Sequence, residues 1–227
     1  MEKFYEFKQM SENETELLIY GNIASYSWYD SDVSAYNFAD DLAEIDTDIT
    51  VRINSYGGEV AEGLAIYNSL KNFKHKVKTV CDGFACSAAA VIFMAGTERV
   101  MNKGSLLMIH NAWCSCTGNA DDMIKTAEDL EKVNKPSVDI FTKVTGLPEA
   151  TIKQMMDEET WITSDEALEM HFCTSIIEDG AKQSMSEQML NHLVHENKRL
   201  NKEIMNLTDL HKEPCDPWQS YFKKGEI

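Results

Sequence analysis

At 227 residues, 43% of them hydrophobic and 26% charged, the chain can bury one sizeable core and carry a small appendage besides. Its formal net charge of −17 comes with no basic stripe, which argues against a nucleic-acid backbone as partner. No apolar run approaches the ~20 residues that span a bilayer, and the first residues lack the apolar stretch of a signal peptide, so a cytoplasmic place is expected. Six cysteines, Cys81, Cys86, Cys114, Cys116, Cys173 and Cys215, read as reduced thiols. Cys114-x-Cys116 has no second pair or histidine cluster beside it, so neither a zinc site nor any other metal or cofactor is expected.

Taken in order, Glu16–Gly21 reads as a first strand ended by glycine. Asp30-Ser-Asp-Val offers helix caps, with Val33, Tyr36, Phe38, Leu42 and Ile45 on an apolar face. Asp48–Asn54 is β-branched and strand-like. It runs into Ser55-Tyr-Gly57-Gly58, a turn whose glycines let backbone N–H groups approach a ligand. Val60, Leu64, Ile66, Tyr67 and Leu70 predict the next helix, and Lys76–Cys81 the next strand. The order β-α-β-α-β-α is that of an α/β fold with largely parallel strands, whose sites gather past strand ends.

The stretch Gly83-Phe-Ala-Cys-Ser87-Ala-Ala-Ala places one hydroxyl among small residues at the start of an apolar helix. A serine there lies near unsatisfied N–H groups and the positive end of the helix dipole, where an oxyanion is stabilised. An ordinary N-cap serine stands in the same place. Short strands follow at Glu98–Met101 and Ser105–His110, and a histidine at a strand end is either a structural residue or a base. A helical pattern runs from Gly118 to about Val144, with Pro136 expected to kink it or start a new turn. Pro148 opens a further helix to Met156, Ser164-Asp-Glu-Ala-Leu caps a short one, and Cys173–Ile177 closes the domain, drawn at 1–180.

Residues 181–227 are expected to form a helical extension. Leu190, Leu193, Asn197, Leu200, Ile204 and Leu207 alternate steps of three and four, a heptad seam with one Asn at an a position. A short coiled coil and a helix packed on its own domain both fit. Pro214 and Pro217 end the pattern before a Trp218–Phe222 tail.

Four pieces stand in one order: Ile53-Asn-Ser-Tyr-Gly-Gly58, Gly83-Phe-Ala-Cys-Ser87-Ala-Ala, Met108-Ile-His110-Asn, and Glu159-Thr-Trp-Ile-Thr-Ser-Asp-Glu-Ala167. In that order they resemble the Clp protease proteolytic subunit (ClpP) family over roughly Leu17 to Ile177, and most of all the shorter Clp-like head maturation proteases of phages and prophages. The resemblance implies an α/β fold of the ClpP/crotonase type, built of repeated β-β-α and β-α-β units, with a protruding handle helix from Gly118. It implies a serine endopeptidase with Ser87 as nucleophile and His110 as general base. The oxyanion would be held by N–H groups of Gly58 and Ala88, with Gly57 shaping the turn. The family has an Asp where this chain has Glu159, and Asp157 and Glu158 stand close by as alternatives for the third member.

The resemblance also implies protein or peptide substrates and homo-oligomeric rings, a heptamer or stacked heptamers. Trp113–Gly118 would be the strand that aligns substrate and meets the opposite ring. The N-terminal segment that forms axial loops in housekeeping members looks short or missing, which leaves partnership with a AAA+ unfoldase open. Two other readings remain at this point: a crotonase-fold enzyme acting on acyl-CoA thioesters, and a catalytically weak assembly or scaffold protein.

Overall fold

The computed structural model describes residues 5–25 and 35–178. The heptad pattern and the aromatic tail lie outside the described residues, as do the caps expected at Asp30–Val33. An eight-stranded sheet runs in the order β1-β2-β3-β4-β5-β8, with β6 on β4 and β7 on β6. The strands are β1 (Tyr5–Ser11), β2 (Glu14–Tyr20), β3 (Asp48–Ser55), β4 (Val77–Cys86), β5 (Glu98–Asn102), β6 (Leu106–Ile109), β7 (Thr160–Thr163) and β8 (Ser175–Ile177). The helices are α1 (Ala35–Ala43), α2 (Val60–Lys71), α3 (Ala88–Phe93), α4 (Ala120–Thr145), α5 (Glu149–Asp157) and α6 (Ser164–Glu169).

The parallel centre, β2 to β5, follows the expected βαβ order. On its core face Leu17, Ile19, Val51, Ile53 and Cys81 are fully buried, because alternate side chains of a strand share a face. The opposite face carries a polar network. Arg52 forms a two-pronged ion pair with Asp82, and Asp82 also accepts hydrogen bonds from Tyr20 Oη at 2.7 Å and Asn102 Nδ2 at 2.9 Å. That face is wetter than the core, and the carboxylate and guanidinium satisfy each other there.

Two elements differ from the sequence expectation. A strand precedes the first expected one: β1 pairs antiparallel with β2 through a turn at Glu12 and Asn13. Tyr5 is buried and Phe7 partly so, both packed on Phe38, but the alternation covers only these two positions before the strand turns exposed. The second difference positions the site. The strand expected to stop at Cys81 runs on to Cys86. Ile53 pairs with Cys81 but Ser55 with Ala85, so β4 carries two extra residues across one step of β3. The bulge is closed by Phe84 N–H donating to Asn54 Oδ1 at 3.1 Å. A Cβ at Gly83 would come within 2.7 Å of that oxygen, so a side chain there would push the Asn54 amide out of its closing bond. Up to Cys81 β4 pairs with β5, and from Phe84 to Cys86 with β6. One strand therefore feeds two sheet edges, and Ser87 stands where the second ends.

Helix α3 is buried on all sides, as its unbroken Ala-Ala-Ala-Val-Ile-Phe run requires. Helix α2 packs close to it at Gly63, where a Cβ would meet the Ala88 methyl at 2.8 Å. Helix α4 is continuous through Pro136. It starts in a capping box of Asn119 and Asp122 and ends at Gly146 in the left-handed region, φ 76°.

Candidate active site

At Ser87 the chain turns from β4 into α3 with φ 56° and ψ −123°. A non-glycine residue in such a conformation costs of order 1–3 kcal/mol and needs over-determined surroundings. They are present: Ser87 N–H donates to Met108 O at 2.8 Å, and Ser87 O accepts from Ala90 and Val91 N–H. Ser87 occupies the N-cap position of α3, but its hydroxyl makes no capping bond. Its Oγ lies 2.8 Å from His110 Nε2 instead. Capping and chemistry compete for one oxygen, and here the imidazole has it.

His110 follows directly on β6, and its side chain is 15% exposed. Strands β6 and β7 pair antiparallel from Leu106↔Thr163 to Ile109↔Thr160, so His110 and Glu159 are the next opposed positions beyond the ladder. Opposed side chains on an antiparallel pair come within contact range. Glu159 Oε1 is 3.9 Å from His110 Nδ1, an ion-pair distance but longer than a hydrogen bond. Glu159 has φ 50° and a side chain 73% exposed. The two neighbouring carboxylates have other partners. Asp157 Oδ1 accepts from Asn111 Nδ2 at 2.7 Å, and Glu158 Oε1 from Gln154 Nε2 at 2.9 Å. Of the three acids only Glu159 is brought to the imidazole.

The glycine turn lies against this elbow. Gly57 has φ 95°, and a Cβ on it would fall 2.5 Å from Cys86 O and 2.7 Å from Ser87 Cβ. Gly58 has φ 152°, and its Cβ would strike Ile23 O. No side chain fits at either position. Gly57 N–H donates to Ser55 Oγ at 3.0 Å and is taken. Among the described residues neither Gly58 N–H nor Ala88 N–H enters a turn, loop or cap hydrogen bond. Both N–H groups stand beside the Ser87 elbow.

Two contributors were not singled out from sequence. Ser55 Oγ both accepts from Gly57 and donates to Gly21 O, fixing the turn. Asn134 Oδ1 of α4 accepts Ala112 N–H at 2.7 Å, tying the segment after His110 to the long helix. Asn134 sits at a polar break in the helical pattern, and no local signal marks it. Beside Ser87 and His110 lies a narrow cleft with apolar walls from Val60, Leu64, Val91, Ile109, Val133 and Phe141. Cys86 precedes the serine, but burial pushes its thiol up to about 12, so it stays protonated and is no rival nucleophile. Among the described residues no group of three or more His, Cys, Asp or Glu is placed to hold a metal ion, and no helix is long and apolar enough to cross a membrane.

The Clp protease family model matches residues 3–180. The ATP-dependent Clp protease proteolytic subunit 3 of Rhodococcus jostii is 35% identical over 137 residues, 60% of this chain and 68% of that protein. The ATP-dependent Clp protease proteolytic subunit of Deinococcus radiodurans is 32% identical over 143 residues, 62% of this chain and 70% of that protein. Among solved structures, a ClpP1 mutant from Listeria monocytogenes superposes with a TM-score of 0.59 at 24% identity, covering 73% of this chain and 92% of that one. That likeness speaks for the fold, which is of the ClpP/crotonase type. With the family model spanning most of the chain, this protein belongs to the Clp protease family and is a serine-type peptidase.

Proposed function

We propose that the chain is an endopeptidase that cleaves peptide bonds with Ser87 as nucleophile, His110 as general base and Glu159 as the carboxylate that orients the base. The observation that carries this reading is the 2.8 Å contact between Ser87 Oγ and His110 Nε2, made by a hydroxyl with no capping duty. With its proton on Nδ1, the imidazole offers the Nε2 lone pair. Ser87 Oγ attacks the scissile carbonyl carbon as its proton passes to Nε2. The carbonyl oxygen becomes an oxyanion and is met by the N–H groups of Gly58 and Ala88. His110 then gives its proton to the leaving amine, and a water repeats the sequence on the acyl-enzyme. The imidazolium formed in each half is stabilised by Glu159, whose carboxylate needs to approach by about 1 Å to reach charge-assisted hydrogen-bond distance. The apolar cleft beside Ser87 supports a substrate side chain of apolar type next to the cleaved bond.

Work in homo-oligomeric rings, heptameric or stacked, completes the proposal. The names of the relatives carry the words ATP-dependent, which supports an ATPase-assisted mode beside an ATP-independent one. A cytoplasmic place and a role in phage prohead maturation belong to the same reading.

The test is covalent labelling of the assembled protein with a fluorophosphonate, followed by peptide mapping. An adduct on Ser87, and peptide hydrolysis reduced to background in S87A, are expected. Hydrolysis that survives S87A would overturn the proposal in favour of a hydratase-like use of the oxyanion turn. An unlabelled Ser87 would favour an assembly role.

A further inference from the structure

The described cysteines fall into two classes. Cys81, Cys86 and Cys173 are buried. Burial pushes the first two thiols up to about 12 and raises the third, so none is available as a thiolate near neutral pH. Cys114 and Cys116 are exposed in the single chain and stand two residues apart, on the segment that the ring reading sets against the opposite ring. They lie between β6 and α4, in a stretch without helix or strand pairing that begins at His110. Nothing in the catalytic reading uses either sulfur.

That stretch is fastened to α4 at two points. Ala112 N–H donates to Asn134 Oδ1 at 2.7 Å, and Cys116 Sγ contacts Thr126 Oγ1 at 3.1 Å. The catalytic imidazole sits two residues before the first fastening, and Cys116 makes the second. Two residues apart, Cα atoms are separated by at most about 7 Å, in a fully extended chain. A disulfide needs about 4.4–6.8 Å. The two Cα atoms therefore enter the range of a bridge once the backbone bends away from full extension, and the bridge favours the bent form. Closing it removes the S–H proton from the Cys116 contact with Thr126.

We propose that Cys114 and Cys116 are a vicinal dithiol site at which a two-electron thiol oxidant forms an intramolecular disulfide, bending the segment that follows His110 and slowing peptide hydrolysis. With an azodicarboxamide as oxidant the step balances. One thiolate adds to the N=N bond, forming an S–N bond, and the nitrogen anion takes a proton. The second thiolate then attacks that sulfur, the S–S bond forms, and the hydrazine leaves with a second proton. Two thiols lose two electrons and two protons, and the azo compound gains them. Dithiothreitol reverses the bridge by thiol–disulfide exchange.

The effect on rate rests on the peptidase reading above; the bridge itself does not. The full-length assembled protein is treated with diamide, quenched, alkylated and digested with trypsin. The peptide from Gly104 to Lys125 contains both thiols and no other cysteine. It is expected two hydrogens lighter, unalkylated, and monomeric on a non-reducing gel. Hydrolysis of a fluorogenic peptide is expected to fall at least about tenfold, since small displacements near a catalytic group cost factors of this size, and to recover with dithiothreitol. In C114S and in C116S the ratio of oxidised to reduced rates is expected to return to one. A bridge between two copies, a bridge to another cysteine, two separately alkylated thiols, or closure with no change in rate would each overturn the proposal. If the reduced protein hydrolyses no peptide at all, the peptidase reading fails instead, and the light peptide still reports on the bridge.

Discussion

The two sides of the proposed catalytic arrangement are held in opposite ways. The serine side is fixed by backbone. The bulge in β4, the Ser87 N–H bond to Met108 O and the close press of Gly57 on Cys86 leave the elbow one conformation. The acid side is an exposed side chain at the end of a short ladder, 3.9 Å from its target. A long Glu side chain held at one end has rotamer freedom that its 73% exposure does nothing to restrict. The comparison predicts that activity is sensitive to the smallest change on the serine side and tolerant on the acid side.

Gly57→Ala carries the largest expected effect among the changes that leave all three proposed catalytic side chains in place. One methyl must fit where Cys86 O stands 2.5 Å away, on a backbone with φ 95°. The turn has to move, and with it the Gly58 N–H. Losing an oxyanion donor costs about 10²–10³ in kcat. A fall of that size in peptide hydrolysis is expected, with a lower melting temperature read by circular dichroism. A variant that keeps its rate would show that the turn is not part of the site.

Glu159→Gln comes next. A buried triad acid replaced by its amide loses about 10⁴ in kcat. Glu159 is exposed and longer than hydrogen-bond distance, so a loss nearer to about tenfold in kcat/KM is expected, with KM little changed. Asp157→Asn and Glu158→Gln, whose partners are Asn111 and Gln154, are expected to stay within about twofold of the parent. A 10⁴-fold loss in Glu159→Gln would break the comparison, because it would mean that assembly draws the acid side as tight as the serine side.

The same contrast explains what could be read from the sequence. The parallel β2–β5 centre was legible because Leu17, Ile19, Val51 and Ile53 alternate or cluster as buried strands do. Ser87 and His110 were legible as a pair only through an ordered set of four pieces, since each alone fits a structural role. The continuation of β4 past Cys81 was hidden. A strand that changes neighbour at Asp82 and Gly83 depends on Asn54, 30 positions earlier, for its closing hydrogen bond. Which acid faces His110, expected as Glu159 with Asp157 and Glu158 as alternatives, was not settled by spacing. It is decided by the register of β7 on β6, a long-range pairing that sequence spacing does not state. Strand β1 escaped notice because its alternation is limited to Tyr5 and Phe7, too short a signal at an exposed edge.

One feature links the two sides. Phe84, on the bulged part of β4, stacks on Tyr56 at 5.1 Å and meets Trp161 edge-on at 6.1 Å. Tyr56 precedes the glycine turn, and Trp161 stands two residues after Glu159 on β7. Such ring pairs contribute about 0.5–1.5 kcal/mol each. Trp161→Ala therefore frees β7 at one point without touching the elbow. The expected effect is the smallest: kcat lower by about threefold, KM unchanged, and recovery in Trp161→Phe. If Trp161 acts only by holding Glu159 opposite His110, its removal from the Glu159→Gln protein changes nothing further, and the double-mutant cycle returns a coupling equal to the single effect. Additive losses would instead place the influence of Trp161 on the serine side, through Phe84, and the two sides would no longer be independent.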